Sequence, residues 1–131
     1  MLFGCTPTLR VFEKIPSGWF MVIMDDISNG HETLFSKPVS MTTKELIAEK
    51  LSKFHEAGFV HGDIQDMNIM VSKLDEKDFN IVDFDWVGRA GEVTYPACVN
   101  REIWRPTDVV DGKPILAAHD MVMLDYIRHW S

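Results

Sequence analysis

Apolar positions along the chain fall into short runs of differing period, separated by polar stretches that carry Gly and Pro. Trp19 to Met24 (WFMVIM) is continuous and ends at Asp25-Asp26, the pattern of a short buried strand running into a connector. The SNGHETLFSKPVS that follows reads as a loop. The period then changes. Ile47, Leu51, Phe54 and Gly58 recur at steps of four, three and four, an apolar helical stripe closed by a glycine. Ahead of it, Thr42-Thr43-Lys44-Glu45 matches a capping box, in which a hydroxyl and a carboxylate each satisfy an orphan N–H, so a helix is predicted over about 43–57.

Further on, Ile69-Met70-Val71 and Asn80-Ile81-Val82 flank the polar SKLDEKD, the pattern of a hairpin. Val87 to Lys113 is irregular, and Ile115 to Trp130 turns helical and largely apolar with Asp120 interrupting it. Between helix and hairpin lies FVHGDIQDMNIMV, which crowds His61, Asp63, Asp66 and Asn68 at the mouth of a strand. In an antiparallel hairpin the start of one strand lies beside the end of the next. Asn68 is therefore expected beside Asp83, with Asp85 close by and Asp63 one loop away. Two like charges 4 Å apart at an effective dielectric near 20 repel by about 4 kcal/mol, so these acids need a cation. Carboxylate and amide oxygens without thiolates suit Mg²⁺ or another hard ion.

Composition narrows the classes. The 131 residues fit one domain, and 46% hydrophobic with 25% charged residues is ordinary for a globular chain with no membrane span. A net charge of −7 argues against nucleic-acid binding. The first residues lack the layout of a signal peptide, which makes a cytoplasmic or nuclear setting the expectation. Cys5 and Cys98 lack CxxC spacing and read as reduced core thiols. His31, His119 and His129 lack ligand spacing, and Trp86, Trp104 and Trp130 read as core or partner anchors.

His61-x-Asp63-x4-Asn68 before one strand and Asp83-Phe84-Asp85 after the next resemble the catalytic loop and metal motif of the protein-kinase-like superfamily. The HGD and DFDWVG forms look closer to its fungal kinase-like and aminoglycoside-phosphotransferase-like members than to regulated Ser/Thr kinases. The resemblance implies an α+β fold, a kinase-like C-lobe fragment that is mainly helical with a short antiparallel hairpin at the catalytic site. Residues 1–41 would be the end of an N-lobe and hinge, and 42–131 part of a C-lobe. It implies ATP and Mg²⁺ as cofactors. Asp63 would be the base for an acceptor hydroxyl, Asn68 and Asp83 would hold the metal, and Asp83 would bridge it to the nucleotide phosphates. Met24, Asp25 and Asp26 would form the adenine-binding hinge. His61 would be structural, and Asp120 would bond the catalytic-loop backbone from inside its helix.

Departures from the family pattern shape the functional expectation. Gly62 replaces an Arg, which argues against control by a phosphorylated loop, although Thr94-Tyr95 could accept phosphate there. Gln65 replaces the Lys that steadies the transferring phosphate in Ser/Thr kinases. Asp85 replaces a Gly and could add a metal oxygen or be solvated. No Gly-rich loop or phosphate-binding Lys precedes Trp19, and Lys14 sits in an expected turn. The expectation is a phosphotransferase of weak or absent turnover. The alternative is a pseudokinase-like module that associates with another protein or with itself through an uncovered apolar surface around Met121, Met123, Leu124, Ile127 and Trp130. A metal-dependent hydrolase built on His61, Asp63, Asp83 and Asp85 is a third class, against which the spacing of Asn68 counts.

Overall fold

The computed structural model describes residues 6–7, 9–14, 16, 20–27, 29–36 and 38–127, with the backbone alone at 11, 12 and 20–23. Cys5, Trp19, His129 and Trp130 lie outside the described residues. Strands β1 (Leu9–Lys14) and β2 (Phe20–Met24) form an antiparallel hairpin with Lys14 opposite Phe20. Lys14 is thus the last residue of a strand rather than part of a turn, and it is exposed.

Strand β3 (His31–Thr33) falls in the stretch read as loop. It pairs antiparallel with β5 (Ile69–Ser72), which pairs with β6 (Phe79–Ile81), so the predicted ribbon is part of a three-stranded sheet ordered β3-β5-β6. His-Glu-Thr carries no apolar alternation to announce a strand. The open edge of β5 recruits it, and the fully buried Leu34 next to it continues the pairing by donating its N–H to Ile69 O at 3.0 Å.

Helix α1 (Met41–Glu56) begins earlier than its capping-box pattern indicates. Ser40 is the N-cap, its Oγ accepting the Thr43 N–H at 3.3 Å. Glu76, from the turn between β5 and β6, accepts the Ser40 N–H at 3.2 Å and the Thr43 hydroxyl at 2.9 Å, and it also bonds the Ser40 hydroxyl. A carboxylate brought from another element takes the place the sequence assigned to Glu45. At the other end Gly58 has φ +94°, the left-handed geometry that closes a helix. The stripe packs as its spacing requires: Ile47 and Leu51 are buried with Leu34, Ile64, Ile69, Val71 and Leu124 in one core cluster.

The chain then forms β4 (Phe59–Val60), a 3₁₀ turn (Asp66–Asn68), the β5–β6 hairpin, β7 (Gly88–Arg89) paired with β4, and α2 (Ala117–Tyr126). Val60, Tyr95, Val99, Val109 and Ile115 make a second core cluster beneath the irregular stretch. On α2, Met123 and Leu124 face the first core, as does Ile127 just after it, while Val122 and Tyr126 stay outward. Most of the apolar surface expected to be uncovered is therefore covered.

The mainly helical expectation does not hold. The described residues contain α-helices of 16 and 10 residues beside seven short strands. Pro96, Pro106 and Pro114 interrupt 86–116, and side chains tie its loops instead. Asp111 accepts the N–H groups of Cys98 (2.8 Å) and Val99 (3.2 Å), and Arg101 donates to Val109 O at 2.7 Å. Cys98, read as a core thiol, is exposed at a backbone φ of 60°.

Two outcomes follow from these contacts. Ser40→Ala removes the N-cap hydroxyl and should cost about 1 kcal/mol, lowering Tm by a few degrees in thermal unfolding followed by circular dichroism. Asp111 is held below its ordinary carboxylate pKa by the Cys98 N–H first, then the Val99 N–H. Its contribution is therefore present above the unfolded pKa of about 3.9 and lost as pH falls through the lower folded value. The Tm gap between wild type and Asp111→Ala should narrow once pH drops below about 4, and a constant gap would contradict this.

Candidate active site

The loop that leaves β4 is anchored before it displays any chemistry. Asp120, on the first turns of α2, is fully buried, and its Oδ2 and Oδ1 accept the N–H groups of His61 (2.8 Å) and Gly62 (2.9 Å). His55 of α1 donates from Nε2 to the same Oδ2 at 2.9 Å. These donors offset the cost of a carboxylate removed from water. Gly62 has φ +91°, and a Cβ there would stand 3.0 Å from Ile115 Cδ1 and 3.3 Å from Trp86 Cβ, so an Arg at this position would strain the backbone and press on both neighbours.

His61 lies inside the loop, 1% exposed. Its Nε2–H donates to Val82 O at 3.0 Å and its Nδ1 accepts the Asp63 N–H at 3.1 Å, which fixes the tautomer and uses both ring nitrogens. A ring so committed cannot also ligate a metal, which removes the hydrolase arrangement. Phe84 packs edge-on against the imidazole with ring centroids 5.5 Å apart.

Asp63 and Asn68 meet directly. Asn68 is buried and its Nδ2 donates to Asp63 O at 2.8 Å and to Asp63 Oδ2 at 3.2 Å. That fixes the amide, and neither bond uses its Oδ1. The Val82 N–H donates to Asn68 O at 2.9 Å, which continues the Ile69–Ile81 register by one step and delivers Asp83 as the next residue. Asp83 is exposed at φ 61°, in the left-handed region, and its Oδ1 accepts the Asp85 N–H at 3.4 Å. Asp66 opens the 3₁₀ turn and is half-buried.

Two expectations change. Among the described residues no three His, Cys, Asp or Glu side chains cluster as a metal cage, so the acids do not pool around one ion. The cation beside Asp63 is Arg105, whose Nη2 donates to Asp63 Oδ1 at 3.0 Å. Nothing in the spacing of the catalytic-loop motif pointed to a residue 42 positions downstream. Asp83, exposed, and an Asn68 Oδ1 that neither amide bond occupies are oxygen donors of the kind that suits a hard ion which keeps waters and takes its other ligands from phosphates.

The remaining site residues lie apart. Asp25 is bound bidentately by Arg10, Nε to Oδ1 at 2.6 Å and Nη2 to Oδ2 at 2.8 Å, which holds its carboxyl below the usual range. Met24 is exposed at the end of β2, and Asp26 follows in the connector. No hydrogen bond or ion pair among the described residues joins Met24 or Asp25 to Asp63, Asn68 or Asp83. Thr94 is exposed, whereas Tyr95 is buried with its hydroxyl 2.9 Å from His119 Nδ1. Burial, and then the charge of Asp120, raise the Tyr95 pKa, so this hydroxyl is a packed donor and not a surface acceptor for phosphate.

The structure of vaccinia related kinase 3 matches this chain with a TM-score of 0.65, covering 95% of this chain and 43% of that one at 18% identity. The fold is kinase-like. The chain spans less than half the length of that structure, and the likeness does not single out the fungal or aminoglycoside-type branch. No family model matches the chain, and comparison with curated proteins finds no match. Among the described residues no helix is long and apolar enough to cross a membrane.

The kinase-like loop should depend on its buried carboxylate. Asp120→Ala leaves the His61 and Gly62 N–H groups and His55 without their acceptor and should cost about 3–5 kcal/mol in urea unfolding. In Asp120→Asn, which retains one acceptor oxygen, the loss should be smaller. Equal stability of wild type and Asp120→Ala would refute the anchoring role.

Proposed function

We propose that the chain is part of an ATP- and Mg²⁺-dependent phosphotransferase with slow turnover, acting in the cytoplasm or nucleus. The observation that carries this is the joint fixing of Asp63 and Asn68 by one amide, with Asp83 delivered beside them through the Val82–Asn68 bond. Asp63 would accept the proton of an acceptor hydroxyl as its oxygen bonds to the γ-phosphorus. The P–O bond to ADP breaks, and its electron pair leaves on the ADP oxygen. Asn68 Oδ1 and Asp83 would hold Mg²⁺, which when bound offsets the charge of the phosphates. Asn68 also orients Asp63, and His61 and Asp120 keep the loop in place. Asp26 and its neighbours Met24 and Asp25 belong to the adenine side of this proposal.

Slow turnover rests on the described residues. No Lys hydrogen-bonds or pairs with Asp63 or Asp83, and Gln65 donates to Asp63 Oδ1 at 3.0 Å where Ser/Thr kinases place a Lys. Positioning and charge neutralisation supply most of the rate in phosphoryl transfer, so an uncharged Gln65 at this position should lower it.

A second reading, a pseudokinase-like module that binds a partner protein or its own copy, has one observation in its favour. Trp104 and Tyr126 stack in the open, ring centroids 4.0 Å apart and 40% and 39% exposed. They border a groove of about 260 Å³ with Ile64, Ile103, Met123 and Ile127.

Thermal shift separates the readings. ATP with Mg²⁺ should raise Tm, by the equivalent of about 2.7 kcal/mol at a 100-fold excess over Kd. The rise should vanish without Mg²⁺ and in Asp83→Ala, and shrink in Asn68→Ala. No shift, together with a concentration-dependent oligomer in size-exclusion chromatography, would replace phosphotransfer with the binding module.

A further inference from the structure

Arg105 is placed where a purely structural side chain would be a poor choice. Its side chain is 2% exposed, its Nη2 donates to Asp63 Oδ1 at 3.0 Å and its Nε to Asn100 O at 3.2 Å. The guanidinium lies over the Trp86 ring, 5.1 Å from the centroid. Its Nη1 is sealed from solvent and has no hydrogen-bond partner. A buried cation with an unfilled donor nitrogen is costly, and an apolar side chain of similar volume would hold the 100–105 segment at least as well.

What the guanidinium does provide is a fixed carboxylate. Asp63 Oδ1 takes two donors, Gln65 Nε2 and Arg105 Nη2, whereas Oδ2 takes only Asn68 Nδ2. The catalytic loop itself supplies no cation, since Gly62, Gln65 and Asn68 are uncharged. Trp86, three residues after Asp83, forms the other face of the guanidinium. Arg105 therefore joins the loop that carries Asp63 to the segment that carries Asp83.

We propose that Arg105 is the positioning residue of Asp63: it pins Oδ1, leaves Oδ2 as the oxygen that faces an acceptor hydroxyl, and supplies the positive charge that the catalytic loop lacks. The purpose of this arrangement rests on the phosphotransfer reading, whereas the positioning itself does not. A carboxylate held in one rotamer and partly neutralised can stand beside an incoming phosphoryl group that a bare carboxylate would repel.

The test uses Arg105→Met, Arg105→Gln and Arg105→Ala of the full chain. Gln keeps an N–H donor on a shorter stem without the charge, so it decides the matter should Met fail to fold. Side-chain amide NMR signals of Gln65 and Asn68 should shift or broaden in Met and Gln, while the His61 imidazole, held by Val82, stays unchanged. The Mg²⁺-dependent ATP thermal shift should survive. The slow release of phosphate from ATP should fall about 10- to 100-fold, and methylguanidine added to Arg105→Ala should return it to within a few-fold of wild type. Unchanged Gln65 and Asn68 amides, an unchanged rate where Asp63→Asn abolishes it, or a failure of methylguanidine to rescue would each overturn the proposal. A wild-type rate no higher than that of Asp63→Asn would instead defeat the phosphotransfer reading, and the amide signals alone would then decide the role of Arg105.

Discussion

One buried carboxylate sets the geometry of everything around the candidate site. Asp120 has no contact with water, so its charge is tolerated only while the His61 and Gly62 N–H groups and His55 Nε2 all point at it. That requirement fixes the backbone at 61–62 against α2. It also turns the His61 ring toward Val82 O, tying the loop to the strand that leads into Asp83. Helix α1, helix α2, the loop that follows β4 and the end of β6 are thus joined through hydrogen bonds around a single side chain.

The charge problem posed by the acids is solved in two separate ways. Like charges crowded at one sheet edge need compensation, and the sequence argument assigned all of it to a metal. The structure divides the work. Asp63 is compensated by Arg105 at 3.0 Å, whereas Asp83 stays exposed and, among the described residues, only the Asp85 N–H bonds its carboxylate. An ion at Asp83 and the Asn68 oxygen would then need to offset one carboxylate and its own phosphates. Such a site suits a cation that retains its waters better than one that needs a protein cage.

Local patterns were legible in the sequence, whereas long-range ones mostly were not; the bond from Asp120 to the loop backbone was expected, through the family resemblance. Helix α1 could be read because Ile47 and Leu51 share a face at 3.6 residues per turn, and the β5–β6 hairpin because two apolar triplets flank a polar turn. The pairing of Asp63 with Asn68 was approachable through residue type and spacing together, and the two side chains do meet. By contrast the true cap of α1 uses Glu76, 36 positions from Ser40, and β3 exists only because β5 has an edge to fill. The adenine-side role of Met24, Asp25 and Asp26 came from the family resemblance alone, and the Arg10 that pairs with Asp25 from the neighbouring strand is a partner no local pattern announced.

Two of the left-handed positions among the described residues, Gly62 and Asp83, lie in the candidate site, while Cys98 at φ 60° lies outside it. Gly62 at φ +91° needs no side chain, and contacts with Ile115 and Trp86 would admit none without movement. Asp83 at φ 61° carries a side chain in the left-handed region, a conformation that costs about 1 kcal/mol or more for a residue with a Cβ. Asp tolerates it better than most residues because its short carboxyl can bond nearby backbone, as Oδ1 does with the Asp85 N–H. The positions on either side leave little freedom to relax. Val82 is bonded through both its N–H and its C=O, to Asn68 and His61, and Phe84 packs on the same imidazole. The left-handed turn at Asp83 is therefore imposed by the network that begins at Asp120, and the exposed carboxylate is held in place by the buried one.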